Sequence, residues 1–335
     1  MKDIDWKNLG FKYTPVNSNI RYTYADGKWS EGTLTSSESI SMSIAATCLH
    51  YGQAAFEGIK AFGAKDGEIR IFRPDMNAKR LARTSRYILG PEIPEKLFID
   101  ALKRVINDNR EFVPPYGTNG SLYIRPLLIG TGPQIGVSPS DEYEFMIMVM
   151  PVGEYYKGGI KPVDAIIDED FDRAAPMGAG SYKVAGNYAA SLTSAKNAKD
   201  KGYPIALYLD AKTHEYVEEF GTSNFFGITK DGKFVTPESP SILQSITNLS
   251  LQQIAEDLGL TVEKRPIHKT ELADFIEVGA CGTAVVLTPI SSITYGDNVY
   301  KYGEECGPIS RKLYDRMTAI QYGERDDSHN WLLKV

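Results

Sequence analysis

The chain has 335 residues, of which 42% are hydrophobic and 24% charged, with a net charge of −6. That length leaves room for two domains, and that composition supports a sizeable core and argues against disorder. The acidic balance disfavours non-specific nucleic-acid binding, and no apolar run approaches the length of a membrane span.

The first residues, Met1-Lys2-Asp3-Ile4-Asp5-Trp6, carry acids where a secretory leader carries an apolar core, so no signal peptide is expected. Cys48, Cys281 and Cys306 are odd in number and far apart, and His50, His214, His268 and His329 have no ligand spacing. This pattern fits a reducing cytoplasm and argues against a disulfide framework or a metal site.

Residues 1–45 read as short strands and loops, with turns at Asp26-Gly27 and Glu31-Gly32. In the stretch from His50 to Phe62, Gly52 and Gly58 suggest a bend and a close approach, with Tyr51 and Phe56 as pocket walls or as core. Asp66-Gly67 predicts a hairpin turn between Ala61-Phe62 and Ile69–Phe72. Pro74 opens a helix to about Leu89, bearing Lys79, Arg80, Arg83 and Arg86, with Arg73 just before it. Most of these cations form a solvated face, and one could reach inward to an anion. A second helix is expected over 95–111, with Leu97, Phe98, Ala101, Leu102, Val105 and Ile106 on one face.

Residues 121–130 form an alternating strand in which Tyr123 and Arg125, two apart, share a face. That pair could hold a carboxylate, or the arginine could pair with a surface acid. The loop Gly130–Val137 lacks the lysine and spacing of a P-loop. Residues 144–152 read as a buried strand. Glycine and proline in 155–162 mark an interdomain linker, dividing the chain into domains 1–154 and 163–335.

After a strand at 163–167 comes Gly178-Ala179-Gly180-Ser181-Tyr182-Lys183-Val184-Ala185-Gly186-Asn187-Tyr188. Small residues let a ligand or another segment come close to the backbone. A lysine in a tight, partly apolar pocket disfavours its ammonium form and offers a nucleophilic amine, as a Schiff-base lysine requires. The alternative is a solvated lysine in a glycine-rich turn. A helix then spans 187–201, ended by Gly202.

A strand at 205–209 leads to Glu218-Glu219-Phe220-Gly221-Thr222-Ser223-Asn224. Adjacent strand residues face opposite sides, so one glutamate is expected to point inward, toward a cation, and the other to face water. Ser241–Asn248 opens a helix through Leu258, with Ser245 and Thr247 suited to capping and the N-terminus suited to an anion. A strand at 261–264, a helical piece at 272–275 and a strand edge at 277–279 follow. The stretch Ala280–Val286, small and polar before an apolar strand, could cradle an anion with its amides, and a last helix covers 308–322.

Taken together, Phe56-Glu57-Gly58-Ile59-Lys60-Ala61-Phe62, Tyr123-Ile124-Arg125-Pro126, Tyr182–Tyr188, Glu219–Asn224, Ser245-Ile246-Thr247 and Gly282-Thr283-Ala284 resemble, in order over nearly the whole chain, the branched-chain amino acid aminotransferases. These are pyridoxal 5′-phosphate (PLP) enzymes of fold type IV. The resemblance implies an α+β protein with two α/β domains joined by a short loop. It implies reversible amino transfer between L-leucine, L-isoleucine or L-valine and 2-oxoglutarate, and a cytoplasmic homodimer. D-amino-acid aminotransferases and aminodeoxychorismate lyases share the fold and are the alternative.

By the same resemblance Lys183 is the Schiff-base lysine and proton carrier, Glu219 the partner of the pyridine nitrogen and Tyr188 that of the phenolic oxygen. Arg80, Ile246, Thr247 and Thr283 form the phosphate cup, with Thr222, Ser223, Asn224 and Leu243 around the cofactor. Tyr51, Phe56, Tyr123, Arg125, Thr283 and Ala284 line the substrate pocket, and Val137 is expected to reach over from the other subunit. Gln244 and Asn248 depart from the family pattern, standing where many relatives have proline and arginine, beside the phosphate cup. Val285–Thr288 lacks the Cys-x-x-Cys of the mammalian enzymes, so no redox switch is expected there.

Overall fold

The computed structural model describes residues 4–6, 8–153 and 159–335, so the linker expected at 155–162 lies partly outside the described residues. In chain order the elements begin with β1 (Asn19–Ala25), β2 (Lys28–Trp29), β3 (Thr33–Thr35), α1 (Thr47–Tyr51), β4 (Ala54–Phe56), β5 (Ile59–Gly63) and β6 (Ile69–Phe72). Then come α2 (Pro74–Tyr87), α3 (Glu95–Asp108), β7 (Ser121–Gly130), β8 (Tyr143–Val152), β9 (Val163–Ile167), α4 (Ala185–Ala190) and α5 (Leu192–Asp200). The chain continues through β10 (Ile205–Leu209), β11 (Val217–Phe220), β12 (Ser223–Thr229), β13 (Lys233–Pro237), α6 (Ile246–Asp257) and β14 (Thr261–Arg265). It ends with β15 (Phe275–Gly282), β16 (Val286–Tyr295), β17 (Asn298–Lys301), α7 (Pro308–Gln321) and β18 (Leu332–Lys334).

Two compact units result, the first comprising Met1–Tyr155, Tyr182–Gly186 and Ile320–Val335, the second Tyr156–Ser181 and Asn187–Ala319. A simple division at the linker would put all of 163–335 in one domain. In the contact grouping, Tyr182–Gly186 and Ile320–Val335 go with the first unit.

The first unit is built on a sheet ordered β18-β6-β5-β7-β8-β1-β2, with β3 on β1 and β4 on β7. Alternation sorts its faces: Leu122, Ile124 and Leu128 of β7 join Phe145, Ile147 and Val149 of β8 in a core with Phe98, Ala101, Leu102, Val105 and Ile106 of α3. Fully burying a side chain of the size of Phe98 contributes about 1.5–3 kcal/mol, and Phe98→Ala would cost about 3–5 kcal/mol. The opposite face carries Tyr123 and Arg125. β5 and β6 form the hairpin expected at Asp66-Gly67, where Gly67 takes φ 81°. β18, which the sequence did not suggest, adds to β6, and Tyr322 packs edge-on against Phe62 at 5.1 Å between ring centres.

The second unit's sheet runs β11-β10-β9-β16-β15-β12-β13-β14, and β11 also pairs with β12, so the sheet closes on itself. Its core joins Ala165, Leu207, Phe220, Phe225, Val278, Ile290 and Ile293. α7 starts against Glu277, whose buried carboxylate accepts the N–H groups of Ile309 (2.9 Å) and Ser310 (2.7 Å).

Several element boundaries depart from expectation. The helix expected over 187–201 is two helices, because Ser191 Oγ bonds back to the Tyr188 carbonyl (2.9 Å) and competes with the ladder there. The helix expected from Ser241 starts at Ile246, since Ser241 and Leu243 bond to Glu218 and Glu219 instead. The helix expected over 95–111 ends at Asp108 with a 3-10 turn after it, and the piece at 272–275 is a 3-10 turn over Lys269–Ala273. The strand edge at 277–279 belongs to the longer β15. Among the described residues no helix is long and apolar enough to cross a membrane, and no cluster of metal-ligating side chains occurs. The three cysteines are all thiols.

Candidate active site

Lys183 is held in the first unit by its backbone. Its carbonyl accepts the Phe56 N–H (3.2 Å), its N–H donates to Thr84 Oγ1 (3.1 Å), and Val184 bridges Ala55. Tyr182 beside it stacks on Tyr87 (3.8 Å between centres) beneath the Arg83 guanidinium. These contacts set the side chain over the Phe56 ring, with Nζ 4.8 Å from its centre. Arg125 also lies 4.8 Å from that centre and donates through Nη2 to the Tyr123 hydroxyl (2.8 Å). Gly58 permits this arrangement, since a Cβ there would meet the Tyr123 hydroxyl at 2.7 Å.

α2 supplies the other wall. Asn77, Arg80 and Thr84, three and four residues apart, fall on one helix face. Arg80 and Asn77 both bond to the buried carboxylate of Glu57. The Lys183 amine is pushed down to about 8, first by burial and then by Arg80, with Arg125 acting the same way and Glu57 and Tyr123 opposing. A half-buried lysine with such an amine is nucleophilic near neutral pH. Arg80 is paired with the Glu57 carboxylate, while the Lys183 and Arg125 cations both lie against the Phe56 ring. The Nε of Arg125 is buried with no hydrogen-bond partner among the described residues, so the cluster suits an acidic ligand.

The second unit carries a carboxylate held in place on several sides. Glu219 Oε1 accepts the Leu243 N–H (2.8 Å) and lies 2.8 Å from Arg173 Nη2, while Oε2 accepts Asn224 Nδ2 (2.9 Å). Asn224 also donates to the Leu243 carbonyl (3.1 Å), and Arg173 Nη2 donates to the Gly180 carbonyl (2.9 Å) and to that of Ser241. Gly180 is required here, since a Cβ would collide with the Ser241 carbonyl and meet Arg173 Nη2 at 2.8 Å. A carboxylate fixed in this way can pair with a cationic ring nitrogen. The turn at Thr222-Ser223 approaches Gly282, just before Thr283 and Ala284. Ser245 caps α6 by accepting the Asn248 N–H (3.1 Å), so the Ile246 and Thr247 amides form the helix's first turn, suited to an anion.

The model of the amino-transferase class IV family matches residues 54–293, a span containing both constellations. The chain belongs to the class IV aminotransferases. Branched-chain-amino-acid aminotransferases from Haemophilus influenzae and Helicobacter pylori are each 46% identical to it; the first covers 100% of both chains, the second 100% of this chain and 99% of its own. The solved PLP-form branched-chain amino acid aminotransferase of Thermobaculum terrenum superposes with a TM-score of 0.79 at 25% identity, covering 96% of this chain and 99% of its own.

Within this class IV aminotransferase the first unit brings together Lys183, Phe56, Arg80, Tyr123 and Arg125. Tyr51 and Val137 lie apart, on exposed segments. The Tyr51 hydroxyl donates to the Ile135 carbonyl, and Val137 is 87% exposed. The second unit brings together Glu219, Asn224 and Leu243, and places Thr222, Ser223, Thr283 and Ala284 on neighbouring turns and Ile246 and Thr247 at a helix start. Tyr188 sits half-buried on α4.

One expectation is corrected. Glu218 does not face water. It is 2% exposed and accepts hydrogen bonds from Ser239 (2.7 Å) and Ser241, because the strand is covered on both faces. Asn248 is taken up structurally, donating to Thr236 Oγ1 (2.9 Å) and accepting from Gln252 (2.6 Å), while Gln244 is exposed. Sequence reasoning missed Glu57, Arg173, Thr84 and Asn77. Glu57 lay within the Phe56–Phe62 motif with no role assigned to it, and the 77/80/84 spacing on α2 carried the signal for Asn77 and Thr84.

Proposed function

We propose that this class IV aminotransferase uses PLP to move the amino group reversibly between L-leucine, L-isoleucine or L-valine and 2-oxoglutarate. The observation that carries this is Lys183, an amine pushed down to about 8 and seated against Phe56 among Arg80 and Arg125. Support also comes from the two bacterial relatives, which carry the branched-chain name at 46% identity along the whole chain.

The residues fit the cofactor. Lys183 would hold it covalently, Glu219 would pair with the pyridine nitrogen and Tyr188 with the phenolic oxygen. Arg80, the Ile246 and Thr247 amides and Thr283 would take the phosphate, with Thr222, Ser223, Asn224 and Leu243 around it. When bound, PLP supplies an electron sink next to the substrate's α-carbon. Arg173 and the Leu243 amide orient the Glu219 carboxylate. The Lys183 amine moves the proton at the α-carbon, a task for which an amine near pH 8 is well matched. Arg125, held by Tyr123, binds a carboxylate, while Phe56 offers an apolar wall for a branched side chain; by the family resemblance Tyr51, Thr283 and Ala284 would also contact the substrate.

The working form in this reading is a cytoplasmic homodimer, with Val137 contributing to the other subunit's pocket. Exposed Ile44, Leu49, Ile135 and Val137 support it, since Ile44 and Leu49 lie just before and on α1, Ile135 and Val137 lie on the loop after β7, and the Gln134 N–H to Ala45 carbonyl bond (2.8 Å) joins the two segments. Sedimentation should give twice the chain mass. The activity test is glutamate formation from L-leucine and 2-oxoglutarate. Wild type should turn over and Lys183→Ala should not. Near-normal turnover by Lys183→Ala, or activity confined to D-alanine, would overturn the proposal.

A further inference from the structure

We propose that Glu57 is a positioning residue that acts through Arg80: its carboxylate grips one edge of the guanidinium and fixes the direction in which the other edge meets the cofactor phosphate. This rests on the PLP reading above.

Glu57 follows β4, and its side chain is fully buried. Its own N–H donates to the Pro126 carbonyl (2.9 Å), which ties the residue to β7. Oε1 accepts Arg80 Nε at 2.8 Å, and Oε2 accepts Arg80 Nη2 at 2.7 Å and Asn77 Nδ2 at 2.7 Å. Asn77 also reaches the Gly58 carbonyl (3.3 Å), so it braces the carboxylate from the same face of α2 that presents Arg80.

The fork engages Nε and Nη2, which together form one edge of the planar guanidinium, and turns the Nη1 edge away from the carboxylate. An arginine left to itself loses considerable rotamer freedom when it grips a ligand, and here that loss is incurred on folding. Stability is a poor explanation for the pair, because desolvating two charges offsets most of their attraction. Glu57 has a second effect in the same place. It favours the protonated Lys183 amine while Arg80 disfavours it, so the carboxylate tempers the positive charge around the lysine.

The test compares two probes, PLP and pyridoxal, which differ only in the phosphate. Apoprotein of the full chain is titrated with each, following quenching of tryptophan fluorescence, in wild type, Glu57→Gln and Glu57→Asp, with melting temperatures as a check on folding. In Glu57→Gln an amide nitrogen faces the donors of Arg80 and Asn77, and the fork is lost. The PLP dissociation constant should rise about tenfold or more while that of pyridoxal stays within about twofold. Glu57→Asp, with the carboxylate withdrawn by one methylene, should show the same selective loss to a smaller degree, and it decides the matter if Glu57→Gln does not fold. Equal weakening of both probes, or unchanged PLP affinity, would overturn the inference and leave the PLP reading standing. A wild-type protein that binds PLP no better than pyridoxal would overturn both.

Discussion

Arg173 Nη2 lies 2.8 Å from Glu219 Oε1, with both side chains nearly inaccessible to solvent. The carboxylate proposed to face the pyridine nitrogen therefore has a built-in counter-ion. Breaking such a pair from one side leaves an uncompensated charge. Arg173→Ala should lose about 3–5 kcal/mol in urea denaturation of the apoprotein. A loss near zero would mean that Glu219 does not depend on Arg173.

The burial of Lys183 has a thermodynamic signature. Its folded value of about 8 lies below its ordinary 10.5, so the unfolded chain holds more protons between those limits and stability rises with pH across that window. The cost of the buried ammonium is fully present below pH 8. Lys183→Met should therefore stabilise the apoprotein at pH 7, by at most about 3 kcal/mol, with the gain shrinking as pH rises from 8 to 10.5. Denaturant titrations of both proteins at several pH values measure it. A gain independent of pH would contradict the assignment.

Gly58 should be needed for substrate rather than cofactor. A methyl group there pushes on the Tyr123 hydroxyl, which anchors Arg125. Gly58→Ala should lower kcat/KM for L-leucine by about ten- to a hundredfold while PLP affinity stays within about twofold. Steady-state kinetics on the PLP-saturated enzyme would separate the two, and an unchanged kcat/KM would remove Tyr123 and Arg125 from the substrate pocket.

Glu218 should behave as a core residue. Glu218→Ala strands the hydroxyls of Ser239 and Ser241 and should cost about 1–3 kcal/mol in thermal or urea unfolding. A change within about 0.5 kcal/mol, as for a surface site, would contradict its burial.

The features legible in the sequence are those written locally. The Asp66-Gly67 hairpin, the proline start of α2 and the alternation in β7 and β8 each follow from a few neighbouring residues. Features that depend on distant partners were not legible. β18 is three residues long and exists because β6 offers an edge. Glu218 looked like a surface acid because nothing nearby announces the serines at 239 and 241. Arg173 follows an acidic run, Asp168-Glu169-Asp170-Phe171-Asp172, while its partner lies on β11. Glu57 sits between apolar and small residues, and only the arrival of α2 gives it Arg80 and Asn77. The position of Lys183 depends both on its glycine-rich stretch, which is local, and on the contact with β4 and Thr84, which is not.

The most direct test of the account is the visible absorption spectrum of the purified protein loaded with PLP, recorded before and after L-leucine and again after 2-oxoglutarate. The account predicts a yellow band that fades with L-leucine and returns with 2-oxoglutarate. A band indifferent to L-leucine would contradict the branched-chain substrate, and no band at all would contradict the assignment of Lys183 as the residue that holds PLP.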